Sequence, residues 1–175
     1  MQRFTARPRP GLAAGDLPPA PADAVAAALA ALKMPQTAHR TLDMPGPTGE
    51  SNRLSLYPRG RVLCLGPGRE AAKAQANEAR VAGSVPLRVG AGGDVAGRLA
   101  ADTLTGLEPL DAVLWWGDAD TARAYRQALA RRSGPLVPLL TEEGAASQLW
   151  MERHVCVDTT ASGGNAALLA AGGVA

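Results

Sequence analysis

The chain has 175 residues, enough for a domain with a real core, and a net charge of +2 that marks neither nucleic acid nor an anionic membrane as a partner. Arg3, Arg7 and Arg9 cluster, but Pro8 and Pro10 interrupt them and no aromatic residue is interleaved for base stacking. No apolar run reaches the roughly 18 residues needed to span a bilayer, and the opening MQRFTARPRPGLAAG lacks the apolar stretch of a signal peptide, so a cytoplasmic protein is expected. The two cysteines, Cys64 and Cys156, sit in apolar, strand-like runs and read as buried free thiols of a reducing compartment. His39 and His154 stand apart, with no zinc-ligand spacing around them.

In chain order, residues 1–22 carry Pro8, Pro10, Pro18, Pro19 and Pro21 without apolar periodicity and read as an extended or disordered linker. A short helix over 23–33 follows, with Asp23 able to cap it and Val25, Leu29 and Leu32 on one face. Residues 42–52 are rich in turn formers. Leu54 and Leu56 then lead into Arg61–Leu65, a buried strand. The spacing next predicts a surface helix over 69–82, a strand over Val85–Val89, a short helix over 94–101 and a strand over Asp111–Trp116. A helix over 119–131 ends at Gly134, a strand covers Leu136–Leu140, and a fifth strand covers Met151–Asp158. Strands alternating with helices imply βαβ units, hence an α/β fold with a mostly parallel sheet flanked by helices. Right-handed crossovers, the rule for such units, make it Rossmann-like.

Three turns could carry chemistry. Gly66-Pro67-Gly68 lies between a strand and a helix, where a dinucleotide phosphate would meet free backbone N–H groups. Ala71 stands where the third glycine of that fingerprint belongs, Pro67 lacks an N–H, and no acidic residue ends the next strand to hold a ribose. At Gly117-Asp118-Ala119-Asp120, two carboxylates would satisfy the helix N-terminus themselves and repel a pyrophosphate. Glu142 and Glu143 follow the fourth strand, but no nucleophile or orienting histidine accompanies them. No catalytic, cofactor-binding or metal-binding residue is therefore expected. The alternative is a small standalone Rossmann-type nucleotide-binding protein that uses Gly66, Gly68 and Glu142.

Three segments resemble one known family. They are Pro45-Gly-Pro-Thr-Gly-Glu-Ser-Asn52 with Tyr57-Pro-Arg-Gly-Arg-Val-Leu-Cys-Leu65, then Asp111-Ala-Val-Leu-Trp-Trp-Gly-Asp118, and finally Glu152-Arg-His-Val-Cys-Val-Asp-Thr-Thr-Ala-Ser-Gly-Gly-Asn-Ala-Ala-Leu-Leu169. In order and spacing they are similar to the end of long proline utilization A (PutA) proteins, bacterial fusions of proline dehydrogenase and L-glutamate γ-semialdehyde dehydrogenase. The resemblance implies a truncated, degenerate aldehyde-dehydrogenase-like α/β domain over 23–150, after the linker 1–22, with a C-terminal flap motif over 151–175. Glu142 falls where active aldehyde dehydrogenases carry their general base. The stretch that would supply their cysteine nucleophile is missing, and Leu65-Gly-Pro-Gly68 replaces the loop that carries their oxyanion-holding asparagine. The implied role is a non-catalytic lid over the dehydrogenase domain of the same or a homologous chain, helping to enclose the cavity through which the semialdehyde passes. Its contact residues would be Asp158, Thr159, Thr160, Gly163, Gly164, Asn165, Leu168 and Leu169. FAD and NAD would belong to upstream domains of an oligomeric parent, and no nucleic acid would bind through this segment.

Overall fold

The structure is a computed structural model that describes residues 17–34 and 38–158. It divides into two compact units, one of residues 1–36 and 58–150, the other of residues 37–57 and 151–175.

The first unit is built on a four-stranded sheet of β3 (Arg61–Cys64), β4 (Val85–Arg88), β5 (Ala112–Leu114) and β6 (Leu139–Leu140), in the order β4-β3-β5-β6. All three pairings are parallel. Its helices are α1 (Ala22–Ala31), α2 (Gly68–Val81), the single turn α3 (Thr103–Gly106) and α4 (Ala119–Ala130). The apolar runs of β3 and β5 follow from burial on both sides: Val62, Leu63, Cys64, Ala112, Val113 and Leu114 are all fully buried. Alternate residues serve opposite faces. Leu63, Leu87, Val113 and Trp115 join Val25 and Leu29 of α1, Leu104 of α3 and Tyr125 and Leu129 of α4. Val62, Cys64, Leu114 and Leu140 join Ala76 and Ala79 of α2 and Leu149 of a short 3₁₀ turn at Ala146–Leu149. The α/β fold with a parallel sheet and flanking helices is the one expected from the sequence.

Four local expectations are corrected. Residues 94–101 form no helix: Val95 bridges Val89, and Arg98 pairs with Pro19. Close packing explains it, since a Cβ on Gly97 would lie 2.7 Å from the Ala20 backbone, and Gly92 and Gly97 both have positive φ. The strand expected at Leu136–Leu140 shrinks to Leu139–Leu140, because Pro135 and Pro138 have no N–H to give a ladder. Asp23 lies in the first turn of α1 but makes no capping bond, as the helix begins at Ala22 behind Pro21. Met151–Asp158 is a strand, but it does not join the parallel sheet.

That strand, β7 (Trp150–Asp158), belongs to a three-stranded sheet with β1 (Arg40–Met44) and β2 (Glu50–Pro58), in the order β1-β2-β7. This sheet makes up the described part of the second unit. β1 and β2 are antiparallel, pairing Arg40 with Leu56 through Met44 with Asn52, and the turn formers of 45–49 connect them. Leu42, Met44, Leu54 and Leu56 share one face of this hairpin, and Thr41, Asp43, Arg53 and Ser55 the other. Asp43 and Arg53 pair at 3.1 Å across the exposed side. Cys156 is exposed, not buried as its apolar surroundings in the sequence suggest.

Candidate functional site

In an open parallel sheet the binding crevice lies at the carboxyl ends of the strands where the connection changes direction. Here β3 leads to β4 on one side and the chain then crosses to β5 on the other, so the crevice lies between Gly66-Pro67-Gly68 and Trp115-Trp116-Gly117-Asp118.

That position is filled from within. The amide of Gln75, a fully buried residue of α2, forms a closed ring with Gly66. The Gly66 N–H donates to Gln75 Oε1 at 2.9 Å, and Gln75 Nε2 donates to the Gly66 carbonyl at 2.6 Å. The same carbonyl accepts the Trp116 N–H at 2.9 Å, which ties the two turns together across the crevice. Gly66 has φ +95°, and a Cβ there would lie 2.5 Å from Gly68 N. The N–H a phosphate would need is thus occupied by a side chain of this chain, and Pro67 has none to offer. These residues do not fit a dinucleotide.

The second turn is likewise self-satisfied. Asp118 caps α4, its Oδ1 accepting the Thr121 N–H at 2.8 Å, and this bond holds its carboxyl below the usual carboxylate range. Asp120 pairs with Arg123 at 2.7 Å on the exposed face. Trp115 turns inward, stacks edge-on against Tyr125 with centroids 5.5 Å apart, and donates its Nε1–H to the Asp118 carbonyl at 3.1 Å. A Cβ on Gly117 would collide with that indole, so the glycine of this turn serves packing.

Glu142 and Glu143 are exposed beside a shallow depression lined by Leu140, Thr141, Ala145 and Gln148. The loop that carries them is pinned by the Gly144 N–H, which donates to Glu78 Oε1 of α2 at 2.5 Å. Cys64 is distant from any such role, since burial pushes its thiol up to about 12. Among the described residues no group of His, Cys, Asp and Glu could hold a metal ion. No described helix is long and apolar enough to cross a membrane.

Arg59-Gly60-Arg61 and Asp111, from two of the runs that carry the resemblance, form a structural hub that sequence reading missed. Asp111 Oδ2 accepts the Arg61 N–H at 2.7 Å, and a Cβ on Gly60, which has φ +135°, would collide with that carboxylate. Arg61 Nε donates to the Leu29 carbonyl at 3.1 Å, closing the end of α1. Arg59 Nε donates to the Gln148 carbonyl at 2.9 Å. The run Arg59-Gly60-Arg61 therefore binds α1, the start of β5 and the approach to β7. In the other unit, Arg153 lies 4.7 Å from the Tyr57 ring centroid, and the Cys156 thiol bonds Glu50 at 3.4 Å. Of the expected flap contacts only Asp158, the last residue of β7, is described. Thr159, Thr160, Gly163, Gly164, Asn165, Leu168 and Leu169 lie outside the described residues.

No family model matches the chain. Among curated proteins it is 36% identical over 147 residues to the bifunctional protein PutA of Salmonella typhimurium and 33% identical over 147 residues to that of Escherichia coli. Both matches cover 74% of this chain and 11% of the relative. Among solved structures, a mutant of Bradyrhizobium japonicum proline utilization A has a TM-score of 0.47 at 26% identity, covering 60% of this chain and 14% of that one. The chain spans about a tenth of the length of the curated relatives it matches. Over that segment it is a homologue of the bifunctional PutA proteins, and it corresponds to a small part of one.

Proposed function

We propose that the chain is a non-catalytic C-terminal domain of a proline dehydrogenase/L-glutamate γ-semialdehyde dehydrogenase, associated with proline catabolism to glutamate. It acts as a structural lid over the dehydrogenase domain and the cavity through which the semialdehyde passes. FAD and NAD bind upstream domains of the parent, whose dehydrogenase domain, in the same or a homologous chain, is the partner of the flap 151–175. The homology to PutA supports the setting. The observation that carries the non-catalytic reading is the Gln75–Gly66 ring, which occupies the backbone donor a nucleotide phosphate would take. Acyl transfer also needs a nucleophile, oxyanion donors and a base together, and among the described residues exposed Glu142 stands without the first two. A lid would retain a reactive aldehyde and exclude bulk water.

The test is the coupled conversion of proline to glutamate by the parent protein, intact and truncated after the residue matching Asp158. The truncated form is expected to show a lag in NADH formation and to lose semialdehyde to an external aldehyde-trapping amine. Equal lag and equal trapping in the two forms would remove the lid reading.

A further inference from the structure

β2 and β7 are neighbours in one sheet, yet no turn connects them, and Arg59 is 89 residues from its partner Gln148. In a hairpin the turn fixes strand register, and a slip of one residue sends every side chain to the opposite face. Some other feature must fix the register of this pair.

The structure assigns that task to Arg59. Its N–H donates to the Leu149 carbonyl at 2.7 Å, its Nε to the Gln148 carbonyl at 2.9 Å and its Nη2 to the Trp150 carbonyl at 3.5 Å. Three successive carbonyls at the entry to β7 are thus held by the residue that follows β2. The planar guanidinium presents its Nε–H and Nη2–H in a fixed fork to two carbonyls, whereas an ammonium on a flexible four-carbon stem offers its donors without that preorganisation. Ser84 reinforces the anchor: its buried hydroxyl accepts the Gly60 N–H and donates to the Leu149 carbonyl, each at 3.4 Å. The inference does not depend on the lid reading, because it concerns only how β7 is placed against β2.

The experiment is segment-resolved hydrogen exchange on the full chain, with Cys156 thiol reactivity as a second readout. In Arg59→Ala, exchange across 150–158 is expected to speed up about tenfold or more while β3 and β5 change less than about twofold. Cys156 should then react faster with a thiol reagent as its bond to Glu50 is lost. Arg59→Lys should resemble the alanine variant. Unchanged exchange in β7, or a uniform acceleration that includes β3, would overturn the assignment. If Arg59→Ala does not fold, Ser84→Ala must give the same localised pattern at smaller amplitude, and its absence there would overturn the assignment equally.

Discussion

The two thiols differ in environment more than their sequence contexts suggest. Cys64 is fully buried between α2 and the sheet, whereas Cys156 is exposed and hydrogen-bonded to Glu50, whose carboxylate raises its pKa. A disulfide-exchange reagent should therefore modify one thiol in the native chain, slowly, and the second only after denaturant is added. Two thiols reacting at equal rates in the native state would contradict this placement. Asp118 makes a separate, pH-dependent contribution. Its folded pKa is lowered, so the stability it contributes is present above its unfolded value of about 3.9 and is lost as pH falls through the lower folded value. Asp118→Ala should cost about 1 kcal/mol at neutral pH, and the difference from wild type should vanish in acid urea titrations. At Gly117 the added methyl of alanine would enter the Trp115 ring. Gly117→Ala should lower stability by about 1–3 kcal/mol and shift the tryptophan emission.

At the scale of elements, α2 and α4 were legible because both are long and amphipathic, with their buried residues on one face. Ala72, Ala76 and Ala79 are buried on α2, and Ala122, Tyr125 and Leu129 on α4. The parallel strands were legible as short apolar runs, with ends misjudged where proline removes a donor. Residues 94–101 misled because their alternation of small and polar residues suits a helix as well as a packed extended segment, and only the close approach of Pro18–Ala20 decides between them. The placement of β7 was not legible, since pairing with β2 depends on contacts far apart in sequence. Gln75 likewise reads as an ordinary polar residue of a surface helix, and nothing local announces that its amide is buried against Gly66. Gln75→Leu should lose about 1–3 kcal/mol in denaturant titrations, because the buried Gly66 N–H is left without a partner. A neutral result would mean that the ring does not hold the turn.

At the scale of the whole molecule, what resembled a family motif proves largely architectural in its described part. Gly60, Asp111 and Gly117 fit one another or a neighbouring ring, and Arg59 and Arg61 fasten main-chain carbonyls. Calorimetry with NAD up to millimolar concentration should give no saturable heat. Binding at micromolar concentrations would favour the standalone nucleotide-binding reading and make Gly68 and Glu142 the next residues to substitute.

The three-stranded sheet is not contiguous in the chain: its hairpin is complete by Pro58, but its third strand begins only at Trp150. Translation therefore delivers its parts unequally in time. At about 5–20 residues per second, the edge of β2 stays unpaired for roughly 5–20 s before β7 is made. Over that interval it is an open template for strands of other nascent chains. Arg53 and Asp43, charged and exposed on this hairpin, are the residues that would discourage such pairing while the chain is still being made.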